Sequence, residues 1–530
     1  MPAAFRPFGV RRRTLRSAWM LLRSGDLAGF ARRLWRRLAG LWGALGARDD
    51  PIDYGEWRNR WVDLTERDRE VVAGWQSATR FAVSVGDGPP DAVAATVGSL
   101  GTQLHKQWAV GSEAEDADWV LDLEAGVVLH PAAMATIARV VDADPGLSLV
   151  YADHDHLDDG GRPTDPCFLP DWNPDLFDGL GRIGALVARH RTVPSEQVTG
   201  LDGAVVYHLP FVLASRPVRL RDADSVPVRY RWPVGDPPPR VSVVVPTRDR
   251  GRLLEACLTS LRDRTRYPDV EVVVVDHESS ERRARRLIDG LVDDPGTVVV
   301  PFSGPFNFAA MCNRGVAAAS GEVVVLLNND TEVIASDWLD EFVGQLARPE
   351  VGVVGALLLF GDGTIQHAGV HPGVGGLMGH GHKHWPGADA GYHGRLTVAH
   401  EVAAVTGACL GTTRELWDRL GGLDEERLAV AYNDIDLCLK ARTVGLRVVL
   451  APHAVLHHHE SVSRGYDDDP TRRARLSAEV ATMEERWGDL LHTDPAHNPN
   501  LARKGDGFSV AAQPRVIRPW RPDDQTEHLP

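Results

Sequence analysis

From residue 241 onward, apolar runs rich in β-branched residues alternate with segments whose leucines recur at helical spacing. "VSVVVPTRDR", 241 to 250, opens with a continuous apolar run, the pattern of a strand covered on both faces. "GRLLEACLTSLRDRT" follows, and Leu254, Leu258 and Leu261 predict one apolar helix face. The run "VEVVVVD" then completes a strand–helix–strand unit, which implies a parallel pairing. The alternation continues through the helix-like "FAAMCNRGVAAAS" to "EVVVLLNNDTEV", 322 to 333. Three of these strands end on polar groups: Thr247 to Arg250, Asp276, and Asn328 to Asp330. A turn explains each singly. Their convergence at one sheet edge predicts a ligand site, because open α/β sheets bind ligands beyond the carboxyl ends of their strands.

An earlier stretch repeats the pattern. "FAVSVGDGPPDAVAATVGSLGTQLHKQWAV", 81 to 110, parallels the first unit, and "DWVLDLEAGVVLHPAAMATIARVV" parallels the segment around Asn328. In this copy the strand that should end on a second Asp is missing or very short. The proline-rich "RWPVGDPPPR", 231 to 240, separates the halves, since its prolines continue neither a helix nor a central strand. The expected organisation is a basic helical segment over 1–48, a degenerate half over 75–230, a complete half over 238–490 and a tail over 491–530.

Charge adds one feature. The net charge is −15, yet residues 1 to 48 hold eleven arginines and a single acid. Arginine pairs there alternate with Leu, Trp and Phe at helical spacing. A basic amphipathic helix of this kind suits an anionic membrane surface or the chain's own acidic body. Nucleic acid is not expected as a partner, because the remainder of the chain is acidic and repels phosphate. No apolar run is long enough to span a membrane, and no signal peptide is evident. The five cysteines are scattered without C-x-x-C spacing and predict reduced core residues in a cytoplasmic protein.

The candidate chemistry lies in the second half. Asn328, Asn329 and Asp330 suit Mg²⁺ or Mn²⁺ held through one carboxylate plus a diphosphate, since these ions keep several waters. Asp276 could accept hydrogen bonds from a base or ribose. The phosphate-cradling G-x-x-x-x-G-K-[ST] and the dinucleotide G-x-G-x-x-G are both absent. "VAYNDIDLCLKARTVG" places Asp434 and Asp436 at a helix start, as caps or, for one of them, as a proton acceptor. "VLHHHESVSRG" puts His457, His458, His459, Glu460 and Arg464 after a strand-like run, with at most two of the histidines able to face one ion. The glycine-rich stretch 367–385 carries five histidines and reads as a mobile loop over an acceptor site.

Seven segments in order carry a family resemblance: "VSVVVPTRDRGRLLEACLTSL", "VVVVDHES", "FNFAAMCNRGVAAASGEVVVLLNNDTEV", "PEVGVVGALLLFGDGTIQHAGV", "VTGACLGTTRELWDRLGGLDEE", "YNDIDLCLKA" and "LHHHESVSRG". Together they resemble the inverting family 2 glycosyltransferases of GT-A fold, in the bacterial O-antigen and rhamnosyltransferase flavour. The resemblance implies an α/β fold of GT-A type, a Rossmann-like and mostly parallel sheet flanked by helices, in tandem with a degenerate N-terminal GT-A-like half. It implies a nucleotide-sugar donor (UDP-, dTDP- or GDP-linked), Mg²⁺ or Mn²⁺, and a glycan or polyprenyl-linked acceptor at the inner membrane face. Pro246, Thr247 and Asp276 would line the nucleotide pocket, with Asn313, Arg314, Asn328 and Asn329 near the donor. Asp330 would bind the metal, with one of His457 to His459 completing the site and His457 and His459 as the named candidates. Asp434 would be the base, and Gly407, Ala408 and Asp424 would shape the acceptor side. The chain departs from the family in reading N-N-D where a D-x-D motif is usual, and N-D where many members read E-D. The rival expectation is a non-catalytic glycan-binding scaffold with decayed transferase domains.

Overall fold

The runs Val241–Thr247 and Val323–Leu327 are buried along their whole length, as strands flanked on both faces by helices must be. The computed structural model describes residues 52–111, 116–194, 204–218, 226–459 and 470–521. The basic segment 1–48 lies outside them, as do Glu460 and Arg464.

Two sheets organise the chain. The first holds β1 (Phe81–Val85), β2 (Trp108–Val110), β3 (Trp119–Leu123), β4 (Val128–Leu129), β5 (Leu149–Leu157), β6 (Pro163–Cys167), β7 (Leu186–His190) and β8 (Val206–Pro217). Its order is β2-β1-β3-β7-β5-β8-β4, with β6 on β5. The second holds β9 (Val241–Thr247), β10 (Val270–His277), β11 (Thr297–Phe302), β12 (Val323–Leu327), β13 (Thr331–Val333), β14 (Val351–Leu359) and β15 (Ile365–His367). Further along, β16 (Val370–Pro372) and β17 (Met378–His380) form a separate hairpin. Then β18 (His400–Glu401), β19 (Cys409–Thr413) and β20 (Arg447–His458) complete the second sheet. Its order is β11-β10-β9-β12-β19-β14-β20-β13, with β15 on β14 and β18 on β20.

The two orders match strand for strand once β11 and β18 are set aside. The directions match too: β1–β3 and β9–β12 are parallel, β3–β7 and β12–β19 antiparallel, β5–β8 and β14–β20 parallel. The repeat read from two weak similarities is therefore a repeat of topology. From β11 to β12 the second sheet is parallel, as the strand–helix alternation requires; beyond β12 it is mixed, because β19 and β13 run antiparallel to their neighbours. The expected second strand of the first half exists as the three-residue β2, far shorter than the eight-residue β10.

The segment expected as a tail is packed. Trp520 joins the apolar core of the first sheet, and Trp57 donates its indole N–H to the carbonyl of Ala511. The polar centre of this packing is Asp153 on β5, fully buried. Its carboxylate accepts from His208 Nε2 (2.9 Å), the Leu169 amide (2.8 Å), Asn498 Nδ2 (2.9 Å) and Asn500 Nδ2 (3.2 Å). A buried carboxylate with this many donors fixes the chain end against the sheet. Asp153→Ala leaves those donors unpaired and is expected to cost about 3–5 kcal/mol, read as a lowered urea midpoint.

His208 makes the same network sensitive to pH. Burial alone would lower its pKa, but the charges and hydrogen bonds of Asp153 and Asp171 raise it to about 9. A histidine raised above its ordinary 6.5 contributes stability that is complete below that pH and is lost as pH rises through 9. Unfolding free energy is expected to fall by roughly 3 kcal/mol across that window. Denaturation of His208→Gln should show the slope removed.

Candidate active site

The edge where β9, β10 and β12 end is shaped by short polar loops. After Thr247, Asp249 and Arg250 adopt left-handed backbone at φ 56° and 55°. The Asp249 carboxylate accepts the amides of Ser280 (2.6 Å) and Glu281 (2.7 Å), which hold its pKa below the usual carboxylate range. The loop after β9 is thereby tied to the loop after β10. Asn329 donates to Thr247 Oγ1 at 2.8 Å, and the Asn328 amide donates to the carbonyl of Ala408 at 3.0 Å. These bonds fix the turn that carries Asp330, whose side chain is 3% exposed.

His458 stands beside it. β13 pairs with β20 in the register Thr331–His458, which brings the His458 ring to the Asp330 carboxylate, Nε2 to Oδ1 at 3.2 Å. His458 Nδ1 lies 2.7 Å from Gln366 Oε1 and donates to it, because that oxygen can only accept. With Nδ1 on Gln366, the other ring nitrogen, Nε2, is left facing Asp330 Oδ1 and Asn328 Nδ2, 3.2 Å from each, where its lone pair could go to a cation. Two ligands about 2.1 Å from an octahedral ion stand about 3 Å from each other, so the pair fits a hard divalent cation. Among the described residues no group of three or more His, Cys, Asp and Glu side chains could hold a metal. The remaining positions would fall to water and donor oxygens.

Asp434 comes from a different element. Tyr432 turns left-handed at φ 62° and starts the helix Asn433–Thr443. Asp434 Oδ2 then accepts the Gly407 amide at 2.7 Å, and Oδ1 accepts the Ile435 amide at 2.9 Å. A Cβ on Gly407 would meet Asp434 Cβ at 3.3 Å, so glycine permits the close approach. A cleft of about 700 Å³ lies over Pro246, Thr247, Asn328, Asn329 and Asp330, and it is also lined by Arg248, Arg250, Arg472 and Arg475. Next to it, a chamber of about 100 Å³ is lined by Asp330, Asp434, Gly407, Ala408 and His458. Both hollows share Phe308, Asn328, Asp330 and Val430 in their walls. Asp330 and Asp434 thus face one space. Chemically it offers a cation site, a guanidinium-rich cleft suited to a diphosphate, and a carboxylate positioned to accept a proton.

Residues 242–419 match the glycosyl transferase family 2 model. This part of the chain is similar to the family 2 glycosyl transferases. The chain is also 38% identical over 444 residues to the uncharacterized protein y4gI of Sinorhizobium fredii, covering 73% of this chain and 49% of that protein. It is 36% identical over 438 residues to the O-antigen biosynthesis protein RfbC of Myxococcus xanthus, covering 72% of this chain and 34% of that protein. The chain therefore spans about half of one relative and a third of the other. The N-acetylglucosaminyl-diphospho-decaprenol L-rhamnosyltransferase of Mycobacterium tuberculosis is 25% identical over 243 residues, covering 42% of this chain and 78% of that enzyme. A solved mannosyltransferase from Pyrobaculum calidifontis, in complex with GDP-Man and Mn²⁺, overlaps 48% of this chain and 68% of its own at 24% identity and a TM-score of 0.35.

Pro246, Thr247, Asn328, Asn329, Asp330, Gly407, Ala408 and Asp434 come together in the walls of the two hollows. Other expected residues stand elsewhere. His457 Nδ1 lies 3.2 Å from the carbonyl of Phe360, and His459 Nε2 lies 3.0 Å from Glu332. Strand alternation turns both away from the face that His458 presents to Asp330, so His458 replaces them as the candidate ligand. Asn313 donates to the carbonyl of Leu423 (2.9 Å) and accepts the Leu423 amide (3.0 Å), clamping that loop, and Arg314 is exposed. Asp424 is held by Arg486 and by the amides of Glu426 and Arg427, and lines neither hollow. Asp276 accepts the Ser279 amide at 3.1 Å and is likewise absent from both walls. Asp436 is bound to Arg486, Trp487 and Lys440, which leaves Asp434 as the site-facing member of its pair.

The glycine-rich stretch 367–385 is ordered by the β16–β17 hairpin, with His367, His371 and His382 buried. Sequence reasoning missed Arg472 and Arg475. They lie on the helix Pro470–Trp487, beyond the last motif, where no local signal marked them.

Proposed function

We propose that this protein transfers a sugar from a nucleotide-sugar to a cell-surface glycan or lipid-linked acceptor, with inversion, in a single displacement. The observation that carries the reading is the shared space between Asp330 and Asp434. The acceptor hydroxyl attacks the anomeric carbon while Asp434 takes its proton, and the bond from that carbon to the nucleoside diphosphate breaks. Arg248 and Arg250 steady the diphosphate through charge-assisted hydrogen bonds. Asp330 and His458 would hold Mg²⁺ or Mn²⁺, which would supply positive charge against the departing diphosphate. Gln366 fixes the tautomer of His458.

The first half is a degenerate copy that scaffolds rather than catalyses. After β3 the residues Glu124, Ala125 and Gly126 stand where Asn328, Asn329 and Asp330 follow β12, so the metal-binding carboxylate is gone. Between β7 and β8 lie only residues 191–205, where the second half inserts the helices Arg414–Leu420 and Asn433–Thr443 between β19 and β20. The protein works at the cytoplasmic face of the membrane, with residues 1–48 as its lipid contact. Among the described residues, no helix is long and apolar enough to cross a membrane.

A panel of UDP-, dTDP- and GDP-sugars with Mn²⁺ should yield hydrolysis or transfer from one nucleotide class. Turnover of none of them rules the enzyme reading out. Co-sedimentation with anionic vesicles, with and without residues 1–48, tests the membrane contact.

A further inference from the structure

The helix Pro470–Trp487 contributes Arg475 to the wall of the larger cleft, and one turn further on it carries Glu479. The Glu479 side chain is 2% exposed and that of Arg475 39%, so the carboxylate is buried while the guanidinium reaches the cleft. Glu479 Oε1 accepts two amides, those of Val430 (2.8 Å) and Ala431 (3.2 Å). Its Oε2 is buried without a hydrogen bond, and so is Arg475 Nε, 3.8 Å away. No described residue accepts from the outer nitrogens of Arg475. Val430 and Ala431 lie just before Tyr432, whose left-handed backbone starts the helix of Asp434, and Val430 stands in the walls of both cleft and chamber. Arg486, two turns along from Glu479, pairs with Asp424 and Asp436 at 2.7 Å each. One helix thus braces the segment 424–436 at both ends and in its middle.

We propose that Arg475 and Glu479 work as one unit that serves both substrates. Arg475 takes the donor's diphosphate on its outer nitrogens. Glu479 holds that guanidinium from behind and, through its other oxygen, keeps the segment leading to Asp434 in place. Glu479 is therefore a positioning residue and touches neither substrate. A diphosphate suits Arg475 because a guanidinium offers parallel N–H donors to phosphate oxygens and stays charged at any working pH. Arg248 and Arg250 enter the same cleft from the loop after β9, so a diphosphate held by all three meets cations from two separate elements.

This role presupposes the transferase reading, and the measurements separate the two. UDP, dTDP and GDP are titrated calorimetrically into the full chain with Mn²⁺. Turnover of the matching nucleotide-sugar is measured at saturation, and unfolding midpoints are recorded for each variant. Arg475→Gln should weaken binding of the diphosphate that the wild type takes by about tenfold or more, the scale of one lost hydrogen bond to a charged group. Its turnover at saturation should change less than about threefold. Glu479→Ala should lower turnover about tenfold or more, because two amides lose their acceptor and Asp434 its alignment. Glu479→Gln keeps an oxygen for those amides, so turnover should stay within about threefold of wild type while diphosphate affinity falls. Added to Arg475→Gln, it should weaken affinity no further, since the pair acts as a unit. Unchanged diphosphate affinity in Arg475→Gln or in Glu479→Gln, or wild-type turnover in Glu479→Ala, overturns the inference and leaves the transferase reading intact. So does a joint fall of affinity, turnover and unfolding midpoint in Glu479→Gln, which would make Glu479 structural. Wild-type protein that binds none of the three diphosphates and turns over no nucleotide-sugar overturns both.

Discussion

Asp434→Asn is expected to lower transfer by about 10²–10⁴-fold while nucleotide-sugar affinity stays near that of the wild type. The carboxylate already accepts the amides of Gly407 and Ile435, so its orientation is set before an acceptor arrives. An asparagine fills the same space but offers no group basic enough to take the proton of an attacking hydroxyl. Asp434 lines the smaller chamber and not the larger cleft, which is why donor binding should survive. Single-turnover transfer and donor titration on the same preparation check the two halves of the expectation. Wild-type turnover in the variant would remove Asp434 from the chemistry.

The second large effect is expected from Asp330→Asn. Asp330 is the sole carboxylate in the N-N-D turn and lies 3.2 Å from His458. Its loss leaves one nitrogen ligand, and Mn²⁺ affinity should fall by at least about tenfold. Transfer should fall by several kcal/mol in activation free energy, the scale of Lewis-acid stabilisation of a leaving diphosphate. Mn²⁺ binding is read directly from the free-ion paramagnetic signal, independently of activity. Undiminished Mn²⁺ binding would place the ion elsewhere. Gly126 at the corresponding turn predicts that the first half binds no ion there.

Much of this site was visible along the chain, and the reason is geometric. Residues that end neighbouring parallel strands are brought to one edge by the alternation itself, so Thr247 and Asn328 to Asp330 could be placed together before any coordinates. Residue chemistry alone left Asp434 as one of two acids at a helix start, and only the family resemblance singled it out. Asp436 is taken by Arg486, Trp487 and Lys440, and that choice depends on the helix Pro470–Trp487 lying against it.

Other assignments needed contacts that no local pattern carries. Asn313 and Asp424 belong to the right segments, yet their side chains hold the 421–427 loop in place. Three consecutive histidines alternate across a strand, and nothing within "LHHHE" says which face is which. The pairing of Thr331 with His458 decides it, because one residue of register exchanges the two faces.

The chain's own pattern therefore carried the α/β alternation and the polar strand ends, while Asp330 and Asp434 were singled out by the family resemblance. The alternation and the strand ends follow from periodicity, burial and turn chemistry, all of which act over a few neighbouring residues. Tertiary structure alone decided that His458 faces Asp330, that His367 and His380 meet, and that the C-terminal segment closes on Asp153. Each of those depends on side chains between 13 and 347 positions apart along the chain, and distance of that kind is set by packing rather than by local preference.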